Sequence, residues 1–214
     1  MSRAAWIMRL GDVAIAALAA TVFSSVASAA ALTVNVRSLQ GAPVSDAVVF
    51  LEPERSVAAS APARATIDQR SRQFVPRVSV LQRGTVVLFP NSDNVRHHVY
   101  SFSPAKTFDL RLYAGTTAEP VTFDQAGLVV LGCNIHDSMI AYVAVVDTPY
   151  FGRTDASGSL QVSLPAGSYR LRLWHPDLLQ PAAPESVLMT DAARALTLTA
   201  AIAPEPTGSA PWPQ

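Results

Sequence analysis

Beyond residue 30 the chain nowhere repeats its apolar residues at helical spacing. It alternates them instead, or strings them into short β-branched runs. Leu32-Thr33-Val34-Asn35-Val36 and Thr85-Val86-Val87-Leu88-Phe89 show the habit, as do residues 47–51, 128–131 and 140–146. A period of two sends successive side chains to opposite faces of a pleated strand, so these segments are expected to be strands. Sixteen prolines and ten glycines between the runs suit many turns. The expected fold class is all-β. Half of the residues are apolar and 15% are charged, the balance of a folded chain with a core. At 214 residues there is room for one large domain or two small ones.

Residues 1–29 follow the pattern of an export leader. Arg3 and Arg9 form a basic start, residues 13–26 an apolar stretch, and Ala27-Ser28-Ala29 a small-residue cleavage site. The apolar stretch is short for a bilayer span, and no cysteine stands near the cleavage site to take a lipid anchor. A mature protein starting near Ala30, periplasmic and without stable membrane insertion, is therefore expected. Without Arg3, Arg9 and Asp12 the chain carries about one net negative charge, and no cluster of Lys and Arg offers a nucleic-acid surface.

One cysteine remains, Cys133. In an oxidising compartment it has no partner for an internal disulfide, and a bare thiol there is exposed to oxidation. Burial or chemistry must protect it. Cys133 follows the apolar run at 128–131 and opens Cys133-Asn134-Ile135-His136-Asp137-Ser138-Met139. A strand end thus delivers the thiol, and a short loop returns His136 and Met139 toward the same point. Upstream, Asn91-Ser92-Asp93-Asn94-Val95-Arg96-His97-His98 sets a histidine pair at the start of another strand. Thiolate, two imidazoles and a weak thioether contact are the ligands of a blue-copper electron-transfer site. Soft sulfur favours Cu(I), imidazole accepts both oxidation states, and the expected ligands are His97, Cys133, His136 and Met139. His98 is the alternative to His97.

These residues resemble the cupredoxin family, and amicyanin-like members within it. Cys133, His136 and Met139 match the Cys-x-x-His-x-x-Met loop of such proteins, and Asn91, Asp93 and His97 match their Asn-x-acid-x-x-x-His approach. The resemblance covers residues 66–148. It implies a Greek-key, plastocyanin-like β-sandwich, one type 1 copper ion, and electron transfer with redox protein partners rather than catalysis; a methylamine-utilisation style of annotation also follows from it. Two departures stand out. His98 occupies the place where relatives carry an Asn that ties the two ligand loops together, so His98 is either that tether or itself the ligand. Ile135 and Asp137 flank the second histidine where prolines are common.

Other readings of the same residues remain open. Cys133 is an inert buried thiol, or the nucleophile of a Cys133–His136 pair, although no orienting group or oxyanion turn is evident. Zinc is poorly served by one Cys and a Met. A copper-delivery protein without a redox partner would be richer in Met, and two of the four methionines lie in the leader. A structural β-sandwich is the third function class. His175 has no ligand-like neighbours in the sequence and reads as structural.

From Thr148 onward the style changes. Thr154-Asp155-Ala156-Ser157-Gly158 and Leu164-Pro165-Ala166-Gly167-Ser168-Tyr169 read as tight turns between short strands. They resemble carboxypeptidase regulatory-like, transthyretin-like modules, whose opening strands match residues 34–51. The expected arrangement joins residues 32–52 and 149–203 into one sandwich with the 66–148 block inserted, followed by a disordered tail at 204–214. Val34, Val36, Val48 and Phe50 should then pack against strands bearing Leu171, Leu173 and Leu198.

Overall fold

The computed structural model describes residues 29–55, 63–116 and 119–203. The expected leader up to Ser28 and the tail from Pro204 lie outside the described residues. The chain is all-β, with no helix among the described residues. In order, the strands are β1 (Ala29–Ser38), β2 (Val48–Pro53), β3 (Arg64–Thr66), β4 (Asp68–Arg70), β5 (Gln73–Val75) and β6 (Val78–Gln82). Then come β7 (Thr85–Leu88), β8 (His97–Ser103), β9 (Lys106–Tyr113), β10 (Val121–Phe123), β11 (Gly127–Gly132) and β12 (Ile140–Val146). The last five are β13 (Phe151–Arg153), β14 (Ser159–Pro165), β15 (Gly167–Trp174), β16 (Glu185–Met189) and β17 (Arg194–Ala200).

Two layered units result. In the first, the sheet β14-β1-β17 faces the sheet β13-β2-β15-β16. β1, whose first residue Ala29 ends the expected leader, runs antiparallel to β14 and parallel to β17. β2 lies between β13 and β15, antiparallel to both. Leu32, Val34, Val36, Val49, Leu51, Leu171, Leu173 and Leu198 share one core between these sheets. We call this the outer sandwich.

For Val48 and Phe50 the expectation holds in part, since both lie beside β15, opposite Trp174 and Arg172. These two face away from that core, and their neighbours Val49 and Leu51 enter it instead. The cause is the run Ala47-Val48-Val49-Phe50-Leu51, apolar at every position, which gives period two nothing to choose between. Val48 and Phe50 instead join Trp174 in packing on Val78, Val80, Tyr142 and Ala144 of β6 and β12. Both faces of β2 are thus buried, and each apolar side chain so covered contributes about 1.5–3 kcal/mol. Arg77 stacks over the Tyr142 ring at 5.4 Å and reaches Asp177 at 3.8 Å across the same junction.

The second, inner unit sets the five-stranded sheet β6-β12-β11-β8-β9 over β10-β7-β3 and the β4-β5 hairpin. Its core holds Ile67, Phe74, Val87, Phe89, Phe123, Val129, Leu131, Val143 and, at one end, Cys133 and Met139. Alternation along β11 and β12 sends Val129, Leu131, Ala141 and Val143 inward, leaving Leu128, Val130 and Ile140 exposed on the other face.

Candidate metal centre

The upstream approach to the site is a loop between β7 and β8 that is held from three sides. Asn91 donates from Nδ2 to Val95 O (2.9 Å) and Tyr113 O (2.8 Å), and its Oδ1 accepts from Asp93 N (3.0 Å). Its main chain bridges to Gln69 on one side and Gly115 on the other. Asp93 in turn accepts from the backbone amides of Ser71 (2.7 Å) and Arg72 (2.8 Å) in the β4-β5 turn. Both turn residues hold positive φ, 53° and 59°, which aims successive N–H groups at one carboxylate. The Arg72 amide, with the His97 and Ser71 contacts, holds the Asp93 carboxyl below the usual carboxylate range against the opposing effect of burial.

An ionised Asp93 fixes the His97 ring. His97 opens β8, is fully buried, and sets Nε2 2.7 Å from Asp93 Oδ2. A carboxylate there makes Nε2 the protonated nitrogen and leaves the Nδ1 lone pair free. Nδ1 faces the Cys133 Sγ at 4.0 Å.

Cys133 is delivered by the end of β11, as the run before it suggests, and is buried. The loop then turns back, closed by Met139 N donating to His136 O at 2.8 Å. That return brings the His136 ring to 5.0 Å from the His97 ring, tilted by 59°. Ligand atoms of His97, Cys133 and His136 all lie within 4.8 Å of one another. His136 Nδ1 is buried and has no hydrogen-bond partner. Met139 is buried and lines a depression with Cys133, Gly132, Tyr100 and Asp137.

The other candidates fall elsewhere. His98 is one strand residue on from His97 and therefore points to the opposite face. There its Nε2 pairs with Asp109 Oδ1 and its ring lies 5.2 Å from Tyr100. Its hydrogen bond among the described residues goes to Asp109 and not to the Cys133 loop. The strands that carry the two loops, β8 and β11, are joined by the Gly132–Tyr100 pairing and by Val130 N donating to Ser103 Oγ at 2.9 Å. Gly132 leaves room for the Tyr100 ring at that crossing, where a Cβ would meet the ring at 2.9 Å and push it aside. His175 sits in the outer sandwich and accepts from Asp177 N through Nδ1 at 3.1 Å.

The donors fit a metal. A trigonal centre with bonds of about 2.0–2.3 Å separates its ligand atoms by about 3.6–3.9 Å. The Sγ–Nδ1 distance of 4.0 Å is close to that, and a buried imidazole nitrogen without a partner is a costly arrangement unless something binds it.

No protein-family model and no curated protein matches the chain. Several solved structures resemble part of it. A copper-containing nitrite reductase from Thermus scotoductus SA-01 aligns at 24% identity and TM-score 0.38, over 45% of this chain and 26% of that one. This chain thus spans about a quarter of the length of that enzyme. A purple cupredoxin from Nitrosopumilus maritimus aligns at 20% identity and TM-score 0.35, over 38% of this chain and 99% of that one. An amicyanin variant in its reduced Cu(I) form aligns at 19% identity and TM-score 0.36, over 46% of this chain and 98% of that one.

The sequence pattern holds Asp93 without a task for it, shows Tyr113 as an ordinary core or rim aromatic, and gives no signal for Ser71, Arg72 or Gln69. The adjacent residues Ser71-Arg72 stand 22 and 21 positions before Asp93, and no local pattern links them to it.

Proposed function

We propose that this is a periplasmic type 1 copper protein that carries single electrons between redox protein partners, with His97, Cys133, His136 and Met139 as the residues that would hold one copper ion. The observation that carries the reading is the buried His97–Cys133–His136 group, whose ligand atoms converge to within 4.8 Å. The donor set selects the metal. One thiolate, two imidazoles and a thioether suit copper in both oxidation states, whereas structural zinc takes further Cys or His in place of Met.

Copper bound there would supply a one-electron step between Cu(II) and Cu(I). The chain's own residues do the rest. Asp93 holds the His97 tautomer that leaves Nδ1 available, as carboxylates behind metal-bound histidines do. The Met139–His136 turn closure fixes the spacing of the second loop. Core residues Phe89, Val99 and Leu131 belong to the same buried cluster as Cys133 and exclude water. Were all four side chains to hold the ion, no position would remain for a substrate, which favours a carrier over an enzyme. Export rests on the leader pattern at residues 1–29.

We propose the insertion arrangement as well, with residues 32–52 and 149–203 as a transthyretin-like unit around a cupredoxin at 66–148. The ladders of β1 with β14 and β17, and of β2 with β13 and β15, support it.

The test is a titration of the purified mature chain with Cu(II). One equivalent should produce an intense visible thiolate-to-copper band that ascorbate bleaches and a mild oxidant restores. A weak band that does not cycle would point to copper delivery, and no specific binding would point to a structural domain.

A further inference from the structure

Gln69 is the one fully buried glutamine among the described residues, and nothing in the ligand set explains it. It lies on β4, paired across the hairpin with the core residue Phe74. Its Nε2 is 3.1 Å from Pro90 O and 3.4 Å from Phe89 O, and it also hydrogen-bonds the Tyr113 hydroxyl. That hydroxyl donates to Phe89 O. Burial pushes the Tyr113 hydroxyl up to about 12, so it stays a donor at any working pH. The Gln69 main chain grips the same segment, donating to Pro90 O at 3.0 Å and accepting from Ser92 N at 2.9 Å. Tyr113 stands opposite His97 in the β8–β9 ladder, at a point where the register slips.

Stability alone does not account for this side chain. Gln69 Oε1 has no partner, and a buried amide with an orphaned acceptor is costly. A methionine of the same reach would fill the space without that cost. What the amide adds is a fixed position for two consecutive carbonyls, Phe89 O and Pro90 O, just ahead of the loop that ends in His97. Ligands held still through a change of oxidation state keep reorganisation small.

We infer that Gln69, acting with Tyr113, is a positioning residue that fixes residues 89–92 and thereby holds His97 Nδ1 opposite Cys133 Sγ. This rests on the metal-centre reading above. Gln69 grips one end of the loop while Ser71 and Arg72, on the same hairpin, grip Asp93 nearer His97. The β4-β5 hairpin is thus a clamp on both ends of one ligand's approach.

The experiment compares the full mature chain with Gln69→Met, which keeps the length of the side chain and removes its donors. In the metal-free protein, well below unfolding, the amides of Asn91, Ser92 and Asp93 should exchange at least about tenfold faster, while those of β1 and β17 keep the parent rate. After Cu(II) loading, intensity should move between the visible and near-ultraviolet thiolate bands, and electron self-exchange should slow. Parent-like exchange together with a parent-like spectrum would overturn the inference and leave Gln69 a core filler. If Gln69→Met does not fold, Tyr113→Phe removes only the hydroxyl bridge; it should shift both readouts the same way by less, and parent-like values would again overturn the inference. A parent chain with no intense copper band defeats the metal reading instead, while the exchange comparison still decides whether Gln69 holds the loop.

Discussion

The two sandwiches treat buried polar groups in opposite ways. In and around the outer one, Thr148, Thr154 and His175 are buried and each is bonded to the backbone. Thr154 Oγ1 accepts from Ala47 N (2.9 Å) and donates to Val44 O (2.7 Å); Thr148 donates to Leu51 O (2.6 Å). The inner one buries Gln69, Asn91, His97 and Ser101. It also holds every buried side-chain nitrogen or oxygen left without a partner among the described residues: Gln69 Oε1, His98 Nδ1 and His136 Nδ1. Unsatisfied buried polar atoms cost about 1–3 kcal/mol each. A fold that carries them in one half, and avoids them in the other, marks the half where something besides stability was selected. The unpartnered atoms of the inner sandwich fit the proposal that it holds a ligand, and the outer one offers no such atoms among the described residues.

Damage to each half should therefore have separate consequences. The largest effect on stability is expected at Gly158, in the turn that Asp155 closes by accepting from Ser157 N and Ser159 N. Gly158 has φ of 72°, and a Cβ there would lie 2.6 Å from Val36 O and 2.9 Å from Val44 N, both backbone atoms. Gly158→Ala should destabilise the outer sandwich by about 3 kcal/mol, read as a lower denaturant midpoint. In the portion still folded, the copper band should be unchanged. A band lost in step with a small drop in stability would show the halves to be one unit.

Asp93→Asn reverses the comparison. It removes the charge behind His97 Nε2 and should weaken copper retention by about 10–100-fold, measured by competition with a chelator. The unfolding of the outer sandwich should not move. Unchanged copper affinity would mean that Asp93 serves the β4-β5 turn alone.

The smallest effect concerns pH. Burial holds the His175 imidazole below its ordinary value, with Asp177 and Asp46 opposing and Arg77 assisting. The unfolded chain then binds a proton near pH 6.5 that the folded one resists. Stability from neutral His175 is complete above that value and is lost as pH falls below it. His175→Asn, which can still accept from Asp177 N, should flatten the pH dependence of the melting temperature below about pH 6.5. An unaltered slope would assign the dependence elsewhere.

What the sequence disclosed, and what it hid, follows the range of the interactions. Cys133, His136 and Met139 lie within one loop after a recognisable strand, so their convergence was legible from spacing. The offset from Asn91 and Asp93 favoured His97 but left His98 open as the alternative; the structure sets His98 beside Asp109 and Tyr100. The Ser71-Arg72 turn and the Gln69–Tyr113 bridge were hidden, because they meet the loop across 20 to 24 positions. The burial of Val48 and Phe50 was misjudged for a different reason. A strand apolar on both faces carries no phase, and only the presence of a second sandwich decides which face meets which core.

The central claim is that Cys133 is a metal thiolate and the rest of the chain supports it. The most direct measurement is the visible absorption of the mature chain and of Cys133→Ser, each with one equivalent of Cu(II). The account predicts an intense band in the parent and none in the variant, with the apo forms of both unfolding at similar denaturant concentrations. An intense band that survives in Cys133→Ser, or is missing from the folded parent, would contradict it.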